Sequence, residues 1–178
     1  MCTQKEDIVR SLKHIHKGII MKEIKAPGKY EASTFCVFLA GSIEMGSAEL
    51  WQDKVRDALV DTDCMLLNPR RDDWDASWKQ DINDTQFFTQ VSWELTGILE
   101  KSHLVCFYFD KNSKSPITLL ELGLALSSRK EVIVCCPKGF WRKGNIDITC
   151  NKFGIPVLES LSELINCIIE KRKHHVHH

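Results

Sequence analysis

The sequence predicts an α/β fold: a doubly wound, mainly parallel sheet of five strands with helices on both faces. Short apolar runs of strand length alternate along the chain with segments of helical length, which is the pattern of repeated strand–helix–strand units. The apolar runs are nearly continuous, as expected of strands that are buried on both faces. Polar and aromatic loops follow the strands, where such sheets bind their ligands.

Five apolar runs supply the predicted strands. In chain order they are FCVFLA (35–40), CMLLN (64–68), LVCFYF (104–109), VIVCC (132–136) and IPVL (155–158). Residues 1–34 precede this pattern and are predicted to form an N-terminal extension, with a short helix through Ile8, Leu12 and Ile15 and then an extended stretch. We therefore assign residues 35–172 to one domain and residues 173–178 to a basic, histidine-rich tail.

Four segments supply the predicted helices. The first carries an apolar stripe made of Trp51, Val55, Ala58 and Leu59. The second runs from about residue 83 to residue 101. The third begins at Ser115 and Pro116, because serine caps helices through its side chain and proline is tolerated in the first turn. The last begins at Ser160, which forms a capping box with Glu163.

The composition indicates a protein that recognises its ligand locally. The chain of 178 residues has 24 lysines and arginines against 24 aspartates and glutamates, so no overall field attracts nucleic acid or an anionic membrane. The N-terminus lacks the apolar core of a signal peptide, and no apolar run reaches the roughly 18 residues of a membrane span. We therefore expect a cytoplasmic protein that binds neither a nucleic-acid polymer nor a membrane.

The eight cysteines are predicted to be inert thiols in a reducing compartment. Five of them lie in the apolar runs, namely Cys36, Cys64, Cys106, Cys135 and Cys136. The chain has no C-x-x-C pair, which argues against a zinc site. The histidines of the tail KRKHHVHH are also predicted to bind no metal, because a fraying chain end does not orient its ligands. No metal and no cofactor are expected.

The loops after the first four predicted strands carry the polar and aromatic groups that a small-molecule site needs. They are GSIEMG, NPRRDDWDASW, DKNSKSP and PKGFWRKGN. GSIEMG lacks the lysine of a P-loop and the third glycine of a dinucleotide fingerprint, so it is either a tight turn or a contact, through Ser42, for a phosphate or sugar. The loop aromatic residues either stack on a base or cover the core: Trp74, Trp78, Phe140 and Trp141.

Glu121 stands out because the third helix has no polar face. Every residue of PITLLELGLAL is apolar or glycine except Thr118 and Glu121. A carboxylate in such a helix has to leave water at least partly, which costs several kcal/mol unless the group is paired or protonated. Glu121 is therefore either a catalytic carboxylate or half of a structural ion pair, with Arg70, Arg71 or Arg129 as the partner.

Glu94 is a second carboxylate in apolar surroundings. In QVSWELTGILEKS it is flanked by Trp93, Leu95, Ile98 and Leu99. Two carboxylates near one pocket suggest glycosyl transfer, in which one attacks the anomeric carbon and the other assists the leaving group or binds sugar hydroxyls. The alternative is a surface glutamate supported by the nearby Lys101.

Five motifs together resemble the nucleoside 2-deoxyribosyltransferase-like family. They are VFLAGSIEMG, LNPRRDDWD, QVSWEL, SPITLLELGLAL and GFWRKGN, in this order over about residues 35–158. SPITLLELGLAL is similar to the family's E-L-G-x-A signature, and NPRRDDWD resembles one branch of the family. The resemblance implies a flavodoxin/Rossmann-like fold, no metal or redox cofactor, and a homodimer or larger homo-oligomer with shared active sites.

The resemblance also implies roles for particular residues. Glu121 matches the nucleophile of the E-L-G motif, and Glu94 matches the acidic residue on the preceding helix that contacts the nucleoside. Gly41 and Ser42 match the glycine turn, and Asn145 matches an asparagine that family members lend across a subunit boundary. The other residues expected to bind substrate lie at strand ends and in the loops that follow: Ile43, Asn68, Arg70, Asp73, Trp74, Asp75 and Ser115.

Ser115 leaves the acceptor open, because the best-known branch has an aspartate that handles the departing base at this position, six residues before the nucleophile. If a second base resolves the glycosyl ester of Glu121, the protein is a transferase. If water resolves it, the protein is an N-glycoside hydrolase of a nucleoside or its 5′-monophosphate. Arg70, Arg71 or Lys138 near the GSIEMG turn would favour the phosphate. A nucleotide-sensing module without turnover is the third hypothesis.

Overall fold

A parallel sheet of six strands forms the centre of the computed structural model, which describes residues 21–31, 33, 35–43, 50–75 and 77–175. The strands are β1 (Lys22–Lys25), β2 (Cys36–Gly41), β3 (Met65–Asn68), β4 (Leu104–Tyr108), β5 (Glu131–Cys135) and β6 (Val157–Leu158). Their order is β1-β3-β2-β4-β5-β6, and each neighbouring pair is parallel. The helix expected through Ile8, Leu12 and Ile15 lies outside the described residues.

The α/β class and the doubly wound parallel sheet are confirmed, but the sequence predicts five strands and the sheet has six. The additional strand is β1, with the sequence KEIK, and it pairs with β3 at the edge of the sheet. Only Ile24 of this strand is buried. Because one side of an edge strand faces solvent, β1 has no continuous apolar run. Residues 22–25 therefore belong to the sheet rather than to an extension.

Within the described residues, five α-helices and one π-helical turn connect and follow the strands. They are α1 (Trp51–Ala58), α2 (Thr85–Thr96) with the π-helical turn Gly97–Lys101, α3 (Pro116–Ser127), α4 (Lys143–Lys152) and α5 (Leu161–His175). The sequence does not predict α4, which buries only Ile146 and Cys150 and so has almost no apolar stripe. α5 continues through His175, so the predicted tail begins within a helix. Among these helices, none has the length and apolar composition required to cross a membrane.

The helices cover both faces of the sheet and form two apolar cores. On one face, α1 and α5 pack through Trp51, Val55, Leu164 and Ile168. On the other, α2, α3 and α4 pack through Trp93, Leu122, Ala125 and Ile146. The five cysteines predicted to be buried are buried, and all of them carry free thiols. Glu94 and Glu121 therefore lie on neighbouring helices of the same face.

The strand order reverses between β2 and β4, and this position determines where a ligand site is expected. Doubly wound sheets bind ligands in the crevice at the carboxyl ends of the two strands that flank the reversal. Here those ends are Gly41 and Tyr108, which are partners in the sheet. A side chain at Gly41 would place its Cβ 2.5 Å from the Tyr108 carbonyl oxygen and 2.8 Å from the Trp51 ring. Glycine is therefore required for the close packing beneath the crevice.

Candidate active site

Three serine hydroxyls form a buried ring at the carboxyl ends of β2 and β4. The Oγ atom of Ser42 lies 2.7 Å from that of Ser113 and 2.6 Å from that of Ser115, and the last two are 2.6 Å apart. The backbone N–H of Asp110 also donates to Ser42 Oγ, at 2.9 Å. The ring therefore ties the loop after β2 to the loop that leads from β4 into α3.

Ser115 begins α3 but does not cap it in the predicted way. Its side chain makes no capping hydrogen bond, and its φ of 44° places the residue in the left-handed region. This backbone conformation is unfavourable for a residue with a side chain, by on the order of 1 kcal/mol. The prediction of a side-chain cap is wrong because the hydroxyl turns into the serine ring instead. The ring thereby fixes the start of the helix that carries Glu121.

Glu121 is buried on α3 and is only 8% exposed. It forms no ion pair with any described residue, so the predicted alternative of a structural pair with Arg70, Arg71 or Arg129 does not apply; Arg71 instead binds Asp73. Burial, followed by the nearby charge of Glu94, raises the pKa of Glu121 to about 8. The carboxyl group therefore meets the energetic conditions expected of a functional acid or nucleophile.

Glu94 lies on α2, and burial raises its pKa to about 7. The amide Nε2 of Gln90 donates to Glu94 Oε1 at 2.9 Å, and this hydrogen bond opposes the rise by favouring the ionised form. The alternative of an exposed surface glutamate is therefore wrong. Because Glu94 raises the pKa of Glu121 through its charge, the two carboxyl groups titrate as a pair and retain a proton near neutral pH.

The side chains predicted in the loop after β3 are engaged in organising that loop. Asn68 donates to Glu23 Oε1 at 2.7 Å and accepts from the backbone N–H of Arg70 at 3.0 Å. Asp73 is exposed and receives two hydrogen bonds from the guanidinium of Arg71. Asp75 is likewise exposed and accepts from a backbone N–H two residues further along the chain. A contact of any of these residues with substrate stays a prediction.

The loop aromatic residues divide between the core and the surface. Phe140 packs on Phe109 with ring centroids 5.0 Å apart, so it belongs to the core. Trp74 is partly exposed and meets Trp78 edge to face at 5.0 Å. Trp141 is 51% exposed, and its indole N–H donates to the Lys114 carbonyl at 3.0 Å. Trp74 and Trp141 are the exposed members of the four, and the Arg142 guanidinium lies over the Trp141 ring, 4.2 Å from its centroid.

Ile43 and Asn145 are the remaining residues predicted to bind substrate. Ile43 is partly buried directly after Ser42, at the end of the described part of that loop. Asn145 lies on the exposed side of α4, where it lines a cavity of about 350 Å³ between α3 and α4 with Leu122, Arg142 and Thr149 among the other lining residues. The structure therefore joins Ser42 and Ser115 in the serine ring and places Glu94 near enough to Glu121 to raise its pKa, whereas Asn145 lines the cavity between α3 and α4.

Two residues of this region are not predicted from the sequence. Ser113 completes the serine ring, and Gln90 binds the carboxylate of Glu94. The spacing of Gln90 and Glu94, four residues apart in a helix, places both on one face and is the only sequence signal for such a contact. No local signal reveals Ser113, because its partners come together only through the fold.

Comparisons with known proteins bear on the family and the fold of this chain. A sequence model described as "Nucleoside 2-deoxyribosyltransferase like" matches residues 34–140, which is more than half of the chain and includes Gly41, Glu94, Ser115 and Glu121. Among curated proteins, none matches the chain. A solved structure of a conserved protein from Enterococcus faecalis V583 is similar in fold, with a TM-score of 0.52 and 16% identity. The similarity covers 77% of this chain and 98% of that one.

The solved structure supports the Rossmann-like type of fold that the sheet order shows, and at this identity it supports nothing more specific. The sequence match carries the family assignment, because it extends over more than half of the chain, from β2 to the loop after β5. The chain therefore belongs to the nucleoside 2-deoxyribosyltransferase-like family.

Proposed function

We propose that the protein cleaves the N-glycosidic bond of a nucleoside or deoxynucleoside through a glycosyl ester of Glu121 and transfers the sugar to another base. One observation carries this proposal: Glu121, on the helix that follows β4, is a buried carboxyl group without a cationic partner among the described residues, and the half-buried carboxyl group of Glu94 lies near it. Membership of the family supports action on a nucleoside. The choice of acceptor rests on the resemblance alone.

In the first step, a carboxylate oxygen of Glu121 forms a bond to C1′ while the bond from C1′ to the base nitrogen breaks. The base leaves with the bonding electron pair and takes up a proton from solvent. A second base then attacks C1′ through a ring nitrogen, loses its N–H proton and releases Glu121 as a carboxylate. Glu94, whose second oxygen is bonded to none of the described residues, accepts a hydrogen bond from a sugar hydroxyl.

Activity is expected to rise with pH, because only the ionised form of Glu121 is a nucleophile. Burial keeps the group protonated in the free protein up to about pH 8. The value of kcat/KM, which reports ionisations of the free enzyme, should therefore increase as the pH passes through this range. A profile that is flat from pH 6 to pH 9 would contradict the assignment of the nucleophile.

A base-exchange assay tests the proposal. The protein is incubated with a deoxynucleoside and a different free base, and the products are separated by chromatography. A transferase produces the new nucleoside, a hydrolase produces only free base and sugar, and a sensing module returns the nucleoside intact. Glu121→Gln should lower the rate of cleavage by roughly a thousandfold or more. Glu100→Gln, which removes an exposed carboxylate in the π-helical turn after α2, is the control.

Hydrolysis of a nucleoside 5′-monophosphate is the second candidate, and the serine ring is the observation that favours it. Where the best-known branch carries an aspartate, this chain presents Ser115 together with two further hydroxyls. Hydroxyls that leave the hydrogen bonds of the ring can donate to a phosphate, whereas a carboxylate repels it. Two of the three predicted cations have carboxylate neighbours of their own: Arg71 binds Asp73, and Lys138 is exposed, 3.9 Å from Glu159.

The two candidates are separated by comparing a nucleoside with its 5′-monophosphate. If phosphate is recognised, kcat/KM should be at least about tenfold higher for the monophosphate, and Ser115→Ala should remove most of this preference. If the unphosphorylated nucleoside is the substrate, Ser115→Ala should affect both compounds equally.

Association of two or more copies of the chain through α3 is part of the proposal. This helix exposes three large apolar side chains, Ile117, Leu120 and Leu124, of which the first two are 61% exposed. Contiguous apolar surface of this kind often marks a contact between proteins. The resemblance implies shared active sites, and Asn145 on the adjacent α4 would be available to a partner. Light scattering should show a dimer or larger species, and Leu120→Glu should shift it to the monomer.

A further inference from the structure

The side chain of Gln90 connects the loop after β3 to the carboxylate of Glu94. Gln90 lies one turn before Glu94 on α2 and is only 3% exposed. Its amide Nε2 donates to the Pro69 carbonyl oxygen and to Glu94 Oε1, both at 2.9 Å. An amide NH₂ group has two protons, so these two hydrogen bonds use both of them.

The orientation of this amide follows from its partners. The Pro69 carbonyl is only an acceptor, and an ionised Glu94 is also only an acceptor, so the NH₂ group has to face both. Rotating the amide by half a turn would place its oxygen against two other oxygens. In the native orientation Oε1 of Gln90 is buried and accepts no hydrogen bond from a described residue. Leaving a buried acceptor unpaired is unfavourable. Any favourable effect of Gln90 therefore comes from the two hydrogen bonds that its NH₂ group donates.

The backbone that carries Glu94 is held from the opposite side as well. Trp93 donates its indole N–H to the Gly28 carbonyl at 2.8 Å, and Tyr30 stacks on the Trp93 ring with centroids 5.3 Å apart. The Tyr30 hydroxyl also donates to the Trp93 carbonyl. With the backbone fixed in this way, the orientation of the Glu94 side chain depends mainly on its contact with Gln90.

We propose that Gln90 is a positioning residue that holds the carboxylate of Glu94 in one orientation and leaves its second oxygen for a hydroxyl of the sugar. The hydrogen bond itself does not depend on the enzymatic activity, whereas the contact with a sugar rests on the proposed function. Glu121, by contrast, receives no comparable donor from the described residues. Gln90 therefore makes the two carboxyl groups different, so that Glu94 is the one that is ionised first and binds as an acceptor.

The hydrogen bond is tested in the free protein by nuclear magnetic resonance. The carboxyl carbons of glutamate are followed through a pH titration, and Glu94→Gln identifies the signal of Glu94. In Gln90→Met, which keeps the length of the side chain but has no N–H, the midpoint of Glu94 should rise by about one pH unit. Gln86→Met, one turn earlier on an exposed position of α2, is the matched control and should leave the midpoint unchanged. An unchanged midpoint in Gln90→Met would overturn the proposal.

A measurement on the wild-type protein keeps the proposal testable if Gln90→Met does not fold. The side-chain NH₂ signals of Gln90 should shift as Glu94 titrates, because one of these protons bonds to its carboxylate. If those signals do not follow the titration of Glu94, the proposal is wrong.

The kinetic consequence separates this inference from the proposed function. Gln90→Met should raise the KM for a nucleoside and move the acidic limb of the kcat/KM profile to higher pH, whereas a purely structural role would lower the unfolding temperature without moving that limb. A wild-type protein that cleaves no nucleoside would refute the proposed function but not the hydrogen-bond result. An unshifted acidic limb in an active Gln90→Met variant would refute the positioning role and leave the proposed function standing.

Discussion

Replacing Glu121 by glutamine should make the protein more stable at alkaline pH, because the carboxyl group is buried without a cationic partner among the described residues. Burial and the charge of Glu94 raise the pKa of Glu121 from 4.5 to about 8. The folded protein therefore holds this proton more tightly than the unfolded chain does. Protonation of Glu121 therefore contributes to the free energy of unfolding. This contribution is fully present below pH 4.5 and is lost as the pH rises to about 8.

The magnitude follows from the difference in pKa between the two states. At about 1.4 kcal/mol for each pH unit, the free energy of unfolding should fall by roughly 3 kcal/mol between pH 5 and pH 8 through Glu121 alone. Glutamine has nearly the same shape but no charge, so Glu121→Gln should lack this part of the decrease. At pH 5, where wild-type Glu121 is protonated, the two proteins should differ by less than about 1 kcal/mol.

Urea unfolding at intervals between pH 5 and pH 9 measures this difference. The gap between Glu121→Gln and the wild type should widen steadily up to about pH 8 and then become constant. Glu100→Gln, at an exposed position, should follow the wild-type curve at every pH. Parallel curves for Glu121→Gln and the wild type would refute the reasoning, because they would show that the carboxyl group ionises as it does in water.

Three further substitutions test other features. His103→Gln should reduce the loss of thermal stability that occurs between pH 7 and pH 5. Burial lowers the pKa of His103, and its Nδ1 accepts the N–H of Cys36 at 3.0 Å. The unfolded chain therefore binds the proton more readily, and acidification favours unfolding. An unchanged acid dependence would contradict this. Gly41→Ala should cost about 2 kcal/mol or more in urea unfolding, since its Cβ would lie 2.5 Å from the Tyr108 carbonyl; a cost near zero would show that the strands can separate. Asp84→Ala should cost about 1 kcal/mol, because Asp84 accepts two N–H groups in the first turn of α2; unchanged stability would mean that water replaces the cap.

The sequence predicts the interior of this fold much better than its edges. The buried strands are continuous apolar runs and are found where the sequence predicts them, within one or two residues. β1 is polar because it lies at the edge of the sheet, and its strand conformation depends on pairing with β3. α4 buries only two side chains, so its sequence lacks the periodicity by which a helix is recognised. In both elements the fold, rather than a local pattern, determines the structure.

The residues of the candidate site also differ in how well the sequence predicts them. Glu121 is recognisable in the sequence because a carboxylate in a helix without a polar face is energetically unusual. The capping role predicted for Ser115 is wrong because its side chain reaches Ser42, 73 residues earlier in the chain. Gln90 is overlooked because glutamine is common on helices, and its importance arises from a contact with the carbonyl of Pro69. Hydrogen bonds between distant segments are therefore the contacts of the site that the sequence does not predict.

The most direct test of the central claim is mass spectrometry of the protein after incubation with a 2-fluoro-2-deoxy nucleoside. Fluorine beside C1′ slows the breakdown of a glycosyl ester, so the covalent intermediate should accumulate. The account predicts an adduct of one fluorinated sugar on the peptide that contains Glu121, and no adduct on Glu121→Gln. An adduct on Glu94 or another residue, or none from a protein that cleaves the parent nucleoside, would contradict the assignment of Glu121 as the nucleophile.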